Sequence, residues 1–346
     1  MATNSSHGAS CVSRCESVTK YRKPSGLGRF SSTGGVVVVI GLAHQRCPEK
    51  SNPAGFPLES WPGTARLSAF VQPLEKRMKT ASLALIGGGN MGGAILRAVA
   101  SQGIVPAERL LLVEPEAEKA AALSEATGCA VQSKIDARVS DYQLLLLATK
   151  PQGAQAVMAE LRPHLVPEQT VVSVMAGISL ATLRNGLGHE RLIRTMPNTP
   201  AQLGEGMTAV YADPSVPEAS RKQVQAVFGA CGTCLEVDRE DAIDAATAVS
   251  GSGPAYVFYL AEQMMAAAQS FGFSESAAQT LVQKTLRGAT LLWEQKGVSA
   301  ETLRRQVTSP GGTTAAAVTH FESQAVGQHL QEGLHRAYQR AKELAQ

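Results

Sequence analysis

Two rhythms divide the chain. Between Leu83 and Val237, short apolar runs alternate with longer amphipathic stretches; from Asp241 onward, apolar residues recur every three or four positions. The runs Leu83–Ile86, Arg109–Val113, Leu144–Leu147, Thr170–Val174 and Arg191–Thr195 predict strands. Leu144–Leu147 is apolar throughout, as a central parallel strand covered on both faces must be. A short strand is expected at Cys129–Val131, and two more, Met207–Tyr211 and Gly232–Val237, flank a helix near 217–229. The stretch 116–127 reads as a helix stopped by Gly128, and 135–142 as an irregular one.

Beyond Asp241 the pattern predicts helices only. Val257, Leu260, Ala261, Met264, Ala268 and Phe271 form one stripe; Gly272 stops that helix and Ser274 caps the next, which carries Leu281, Val282, Leu286 and Trp293 and ends at Gly297. Ser299 caps a short helix through Gln306, and helices follow over Ala315–Phe321 and around Leu330–Leu344. Ser250–Pro254 reads as a loop with proline at a helix start. Small residues crowd these helices (Ala266–Ala268, Ala277, Ala278), a composition suited to close pairing with a second copy of the chain.

The first strand runs into Ile86, Gly87, Gly88, Gly89, Asn90, Met91 and Gly92, with glycines in the G-x-G-x-x-G spacing between strand and helix. Such a turn lets the backbone approach a pyrophosphate and aims the N–H groups of a helix start at it. Glu114 ends the second strand, where an acid can hydrogen-bond the adenosine ribose; a carboxylate there tilts the choice toward NADH, with Lys119 one turn later as a cation that could receive a 2′-phosphate. Three further strand ends carry small or polar residues on the ligand side of such a sheet: Ala148, Thr149, Lys150 and Pro151; Met175, Ala176 and Gly177; and Met196, Pro197 and Asn198. Together these stretches predict an α/β Rossmann-type dinucleotide-binding domain over residues 78–240, followed by an all-α C-terminal dimerisation domain over 241–346.

Composition narrows the classes. A net charge of +3 conceals ten basic and four acidic residues in 1–77 against 22 and 25 in the remainder, so the folded part offers no nucleic-acid footprint. No apolar run approaches a membrane span. Six cysteines are too few for a disulfide scaffold and suit a reducing, cytoplasmic setting; Cys231 and Cys234 read as structural thiols, since Cys234 falls within a strand. The histidines lack metal-ligand spacing, so no metal is expected. Residues 1–77, rich in Pro, Gly and Ser, read as a disordered extension. They are either a transit peptide, which would make the protein mitochondrial, or a segment upstream of the true start at Met78, the favoured alternative.

The loop Val307-Thr308-Ser309-Pro310-Gly311-Gly312-Thr313-Thr314 leads into a helix, and its N–H groups and the hydroxyls of Ser309, Thr313 and Thr314 can hold a carboxylate. That loop and the stretch through Phe321-Glu322 resemble the signature of the pyrroline-5-carboxylate reductases. Ala148-Thr149-Lys150-Pro151, Met196-Pro197-Asn198-Thr199-Pro200 and Ser250-Gly251-Ser252-Gly253-Pro254-Ala255-Tyr256 match the same family in order and spacing, over residues 79–346. The resemblance implies reduction of L-1-pyrroline-5-carboxylate to L-proline by NADPH or NADH, in a homodimer joined through the helical domain or a ring of such dimers. It assigns the cofactor to the glycine loop, Glu114, Ala148–Pro151, Ala176 and Asn198. Substrate falls to Val307, Thr313 and Thr314, with Ser309 and Glu240 nearby. Two positions depart from the family: Glu114 stands where a small residue is common, and Ile135 where asparagine is.

Hydride adds readily to a C=N carbon whose nitrogen is protonated, so Thr314 and Ser309 are the catalytic candidates. Threonine is a poor acid, which makes Thr314 a positioner and proton relay. Rival readings are an imine reductase, a β-hydroxyacid dehydrogenase, for which Lys284 is the only candidate lysine in the central helices, and a non-catalytic dinucleotide sensor.

Overall fold

The computed structural model describes residues 82–345; the expectations for 1–77 and for Met78 as a start lie outside them. Each apolar run forms a strand: β1 Leu83–Ile86, β2 Leu110–Val113, β3 Ala130–Gln132, β4 Leu144–Leu147, β5 Thr170–Ser173, β6 Leu192–Met196, β7 Gly206–Ala212 and β8 Gly232–Glu236. They form one sheet in the order β3-β2-β1-β4-β5-β6-β7-β8. All pairings are parallel except β6 with β7. The chain reverses direction across the sheet between β1 and β4, the place where such sheets open a crevice for a ligand.

Pleating sends alternate residues to opposite faces, and because both faces of the central strands are covered, β1, β2 and β4 are apolar at every position. Leu83 and Leu85 pack with α1 (Asn90–Ser101), α2 (Ala117–Thr127) and α5 (Glu218–Gly229), through Leu96, Leu123 and Phe228. Ala84 and Ile86 pack with α3 (Ala154–Leu161) and α4 (Leu180–Leu187), through Met158 and Leu183.

From Asp241 the chain is helical: α6 Asp241–Ala246, α7 Gly253–Ser270, α8 Glu275–Lys296, α9 Ala300–Gln306, α10 Thr313–Ser323 and α11 Val326–Leu344. The Ser250–Pro254 stretch is not the expected loop. Residues Thr247–Gly251 form a π-helical turn that carries α6 toward α7 with little interruption. The hydroxyls of Thr247 and Ser250 donate to the carbonyls of Ile243 and Ala246, four residues back, so residues that read as loop-forming support the helix instead. Similarly, α10 starts at Thr313 rather than Ala315, because Gly311 turns the chain at φ +69° and extended Gly312 serves as the N-cap.

The helical arm does not cover itself. Helices α7, α9 and α10 bury no residue, and Phe258, Phe271 and Trp293 are 64%, 78% and 52% exposed. Helix α11 folds back on α6 and the π turn, and its Leu344 packs so closely on Gly177, in the loop after β5, that a Cβ there would lie 2.7 Å from the leucine Cβ. Among the described residues no helix is long and apolar enough to cross a membrane.

Candidate active site

The glycine loop is shaped by contacts that exclude side chains. Gly87 sits at φ +102°, donates to Val113 O at 2.9 Å, and has room for no Cβ, which would meet Ala148 O at 2.9 Å. A Cβ on Gly92 would stand 2.0 Å from Gly87 O, so α1 packs against the turn only because residue 92 is glycine. Gly89 differs: no atom lies within 4 Å of its Cβ position. It is the N-cap of α1, whose first turn, beginning at Asn90 and Met91, has no side-chain cap and no acidic residue. Open space beside unpartnered N–H groups at the positive end of a helix fits a pyrophosphate.

Glu114, at the exit of β2, is 7% exposed and reaches back to this loop. Its Oε2 accepts from Gly88 N–H at 2.7 Å and its Oε1 from Glu116 N–H at 3.0 Å. Lys119, expected as a possible phosphate contact, instead places Nζ 2.5 Å from Glu116 Oε2. Ile135 is buried in the core, and its N–H donates to Glu160 Oε1 at 3.1 Å. Across the crevice, Thr149 Oγ1 donates to Met175 Sδ at 3.5 Å, tying the exit of β4 to that of β5. Lys150 is exposed at the start of a 3₁₀ turn that begins with Pro151, and Ala148 and Ala176 are half-buried at the two strand exits. Ile86, the last residue of β1, is buried beneath them.

Two expected ligand residues are engaged elsewhere. Asn198 is 9% exposed, and both ends of its carboxamide are committed to the fold: Nδ2 donates to Ser250 O at 3.1 Å and Oδ1 accepts from Met207 N–H at 2.9 Å. It fastens the exit of β6 to the π turn, whose irregular geometry leaves the Ser250 carbonyl available. Glu240, partly exposed, lies at the start of α4 beside its N-cap Ser179. Its Oε1 accepts from Leu180 N–H at 2.7 Å and from Arg194 Nη1 at 3.2 Å.

Arg194 itself escaped the sequence reading. It lies within β6, 2% exposed, with Nη2 2.5 Å from Asp244 Oδ1 of α6 and Nε without a partner. The signal was present: a lone arginine inside an apolar strand must find a buried counter-charge.

A second helix start without a side-chain cap lies on the helical arm. Gly312 caps α10 without a side-chain hydrogen bond, and Ala316 N–H is the first in the helix to be satisfied, by Gly312 O at 3.1 Å. The preceding amides of Thr313, Thr314 and Ala315 therefore point out of the helix start. Ser309 Oγ lies against Gly312, 2.5 Å from where a Cβ would be, and Val307 is 64% exposed at the mouth of the turn. Among the described residues, no hydrogen bond or ion pair joins 300–323 to the sheet. Within one chain, the glycine-loop residues and the 307–314 turn lie at two separate places, and Glu240 lies on the sheet side with α4 and β6.

Burial pushes the thiols of Cys231 and Cys234 up to about 11, so both stay protonated and inert at neutral pH. Among the described residues no group of His, Cys, Asp and Glu is arranged to hold a metal.

Comparison with known proteins places the chain. The family described as pyrroline-5-carboxylate reductase dimerisation matches residues 240–344, and the one described as NADP oxidoreductase, coenzyme F420-dependent, matches 82–177. A pyrroline-5-carboxylate reductase from Pseudomonas aeruginosa is 40% identical over 271 residues, spanning 78% of this chain and 98% of its own. The solved pyrroline-5-carboxylate reductase from Coxiella burnetii is 31% identical, covers 78% of this chain and 100% of its own, and superposes with a TM-score of 0.73. The Plasmodium falciparum pyrroline carboxylate reductase, solved with NADP bound, covers the same shares at 26% identity and a TM-score of 0.70. With two uncapped helix starts, a Rossmann sheet and relatives matched along nearly their whole length, the chain belongs to the pyrroline-5-carboxylate reductase family.

Proposed function

We propose that this protein reduces L-1-pyrroline-5-carboxylate to L-proline, the last step of proline synthesis, in a site completed by two copies of the chain. The observation that carries the reading is the pair of open helix starts: α1 behind Gly89, sized for a pyrophosphate, and α10 behind Gly312, flanked by hydroxyls and suited to a carboxylate. A reduced nicotinamide, when bound, supplies the hydride. The rest of the work falls to the chain. Gly87–Met91 and Glu114 fix the dinucleotide, while Thr149, Lys150 and Ala176 line the crevice where the nicotinamide end would lie.

On the arm, the amides of Thr313 and Thr314 grip the substrate carboxylate, with Ser309 and Val307 shaping the turn around it. Thr314 Oγ1 bonds the ring nitrogen and relays to it a proton from solvent, taking one up as it passes one on, while the neighbouring carbon receives hydride, which balances the two-electron reduction of one C=N bond. Holding the two reacting groups together is the main lever, worth up to about 7–11 kcal/mol in ideal cases. Glu240 acts one step back, through the α4 start and Arg194.

The exposed apolar faces of α7 and α8 and their alanines support a homodimer in which each arm presents its turn to the partner's crevice. A ring of such dimers rests on family resemblance. The free thiols of Cys129, Cys231 and Cys234 among the described residues suit a reducing, cytoplasmic setting. The test is the oxidation of NADH and NADPH followed at 340 nm with pyrroline-5-carboxylate, with proline identified as product. No substrate-dependent turnover, or turnover only with other cyclic imines, would refute it.

A further inference from the structure

The dinucleotides NADH and NADPH differ by one phosphate on the adenosine ribose, and the exit of β2 bears directly on that difference. Glu114 is not a solvated charge in a turn. It is 7% exposed, and each carboxylate oxygen is held by its own backbone donor, Gly88 N–H at 2.7 Å and Glu116 N–H at 3.0 Å. A Cβ on Gly88 would stand 3.2 Å from Oε2 and 2.8 Å from Leu123 Cδ1, so the carboxylate lies flat against the loop with apolar packing beside it. Swinging it aside would strip two amides of their acceptor at the edge of the core.

A ribose carrying free hydroxyls can donate to such a carboxylate. A 2′-phosphate, bearing nearly two negative charges at neutral pH, would face a fixed anion and bring no donor. The nearby cations do not offset this. Lys119 is engaged with Glu116 at 2.5 Å, and Arg97, on the exposed side of α1 near Gly93, leaves both Glu114 oxygens to the two backbone amides.

We infer that Glu114 makes NADH the preferred cofactor of this enzyme, and that the two amides now holding it form a latent seat for a 2′-phosphate. The inference rests on the dinucleotide reading above and extends it to the choice between the two forms. Removing the carboxylate therefore does more than relieve repulsion, because Gly88 N–H and Glu116 N–H become donors in search of an anion.

The test is direct binding to the full-length protein without substrate, by titrating NADH and NADPH and following reduced-nicotinamide fluorescence. The unmodified protein is expected to bind NADH at least about tenfold more tightly than NADPH, the scale of one close charge–charge repulsion at a protein surface. Glu114→Ser is expected to reverse the order, and Glu114→Gln, which keeps an acceptor and the shape, to erase most of it. Should the serine variant fold poorly, the glutamine variant carries the test. Lys119→Met should leave the ratio within about threefold, as an exposed ion pair contributes little.

Equal or tighter binding of NADPH by the unmodified protein would overturn the inference. An unchanged ratio in both Glu114 variants, or a selective loss of NADPH binding in Lys119→Met, would do the same. Those results would leave the reductase reading standing if turnover persists. Failure of both dinucleotides to bind would remove both readings.

Discussion

The ion pair buried between β6 and α6 makes the sharpest stability prediction. Arg194 is 2% exposed and Asp244 6%, and their charges meet at 2.5 Å, with Glu240 contributing a second contact at 3.2 Å. Asp244→Ala would leave a guanidinium without its main counter-ion, away from water, with its Nε already unpartnered. Breaking one side of such a pair typically destabilises by about 3–5 kcal/mol, because an uncompensated charge stays buried. At roughly 2–4 °C per kcal/mol, that lowers the Tm by about 6–20 °C. Arg194→Met should be similarly damaging, since Asp244 is then the stranded charge. The double variant Arg194→Met/Asp244→Leu strands neither, and Glu240 keeps Leu180 N–H and partial solvent access. It should recover to within about 1 kcal/mol of the parent or exceed it. Urea unfolding at one fixed protein concentration, needed because a dimer's stability depends on concentration, completes the cycle. A single variant within about 0.5 kcal/mol of the parent, or a double variant as unstable as the sum of the singles, would refute the reasoning.

Three further outcomes are expected. Thr314→Ala should reduce kcat/KM by about 10–1000-fold, the equivalent of roughly 1.4–4 kcal/mol, while leaving the NADH dissociation constant unchanged, as steady-state kinetics and titration will show. Gln132→Leu should raise stability by about 1–2 kcal/mol in urea unfolding, because the Gln132 side chain is buried with neither its oxygen nor its nitrogen partnered. Burial holds the Cys231 and Cys234 thiols at about 11, above their ordinary 9, so between these values the unfolded chain loses protons that the folded one keeps. Stability should therefore be flat in this respect below about pH 9 and decline from there toward pH 11, and Cys231→Ala/Cys234→Ala should lessen the decline.

The parts of this molecule most legible in the sequence are those fixed by short-range physics. Leu144–Leu147 reads as a central strand, and within one strand-turn-helix unit Gly87 is required by its φ of +102° and Gly92 by its contact with Gly87 O. Ser274 and Ser299 cap α8 and α9 as their spacing predicts, each accepting from an amide three residues on. What the sequence hid depends on residues far apart along the chain. Asn198 looks like a ligand contact at a strand exit until the Ser250 carbonyl, 52 residues later, arrives beside it. Arg194 and Asp244 are 50 residues apart, and neither names the other. The Ser250–Pro254 stretch misled for a local reason: its hydroxyls can serve a loop or a helix, and the packing of α11 on the π turn favours the helix. The separation of the two open helix starts within one chain is invisible to any motif, since the second copy that would join them is the same sequence.

That separation gives the most direct test of the site. Two impaired variants, Gly89→Asp, which fills the open cradle with a negative charge, and Thr314→Ala, are mixed, reversibly dissociated and reassembled, and NADH oxidation with pyrroline-5-carboxylate is measured against each variant alone. If each crevice is completed by the partner's turn, a mixed dimer contains one pairing with both parts intact, and activity should return to about a quarter of the parent level for random reassembly. Reassembled mixtures no more active than the separate variants would contradict a site built from the glycine loop of one copy and the Gly311–Thr314 turn of the other.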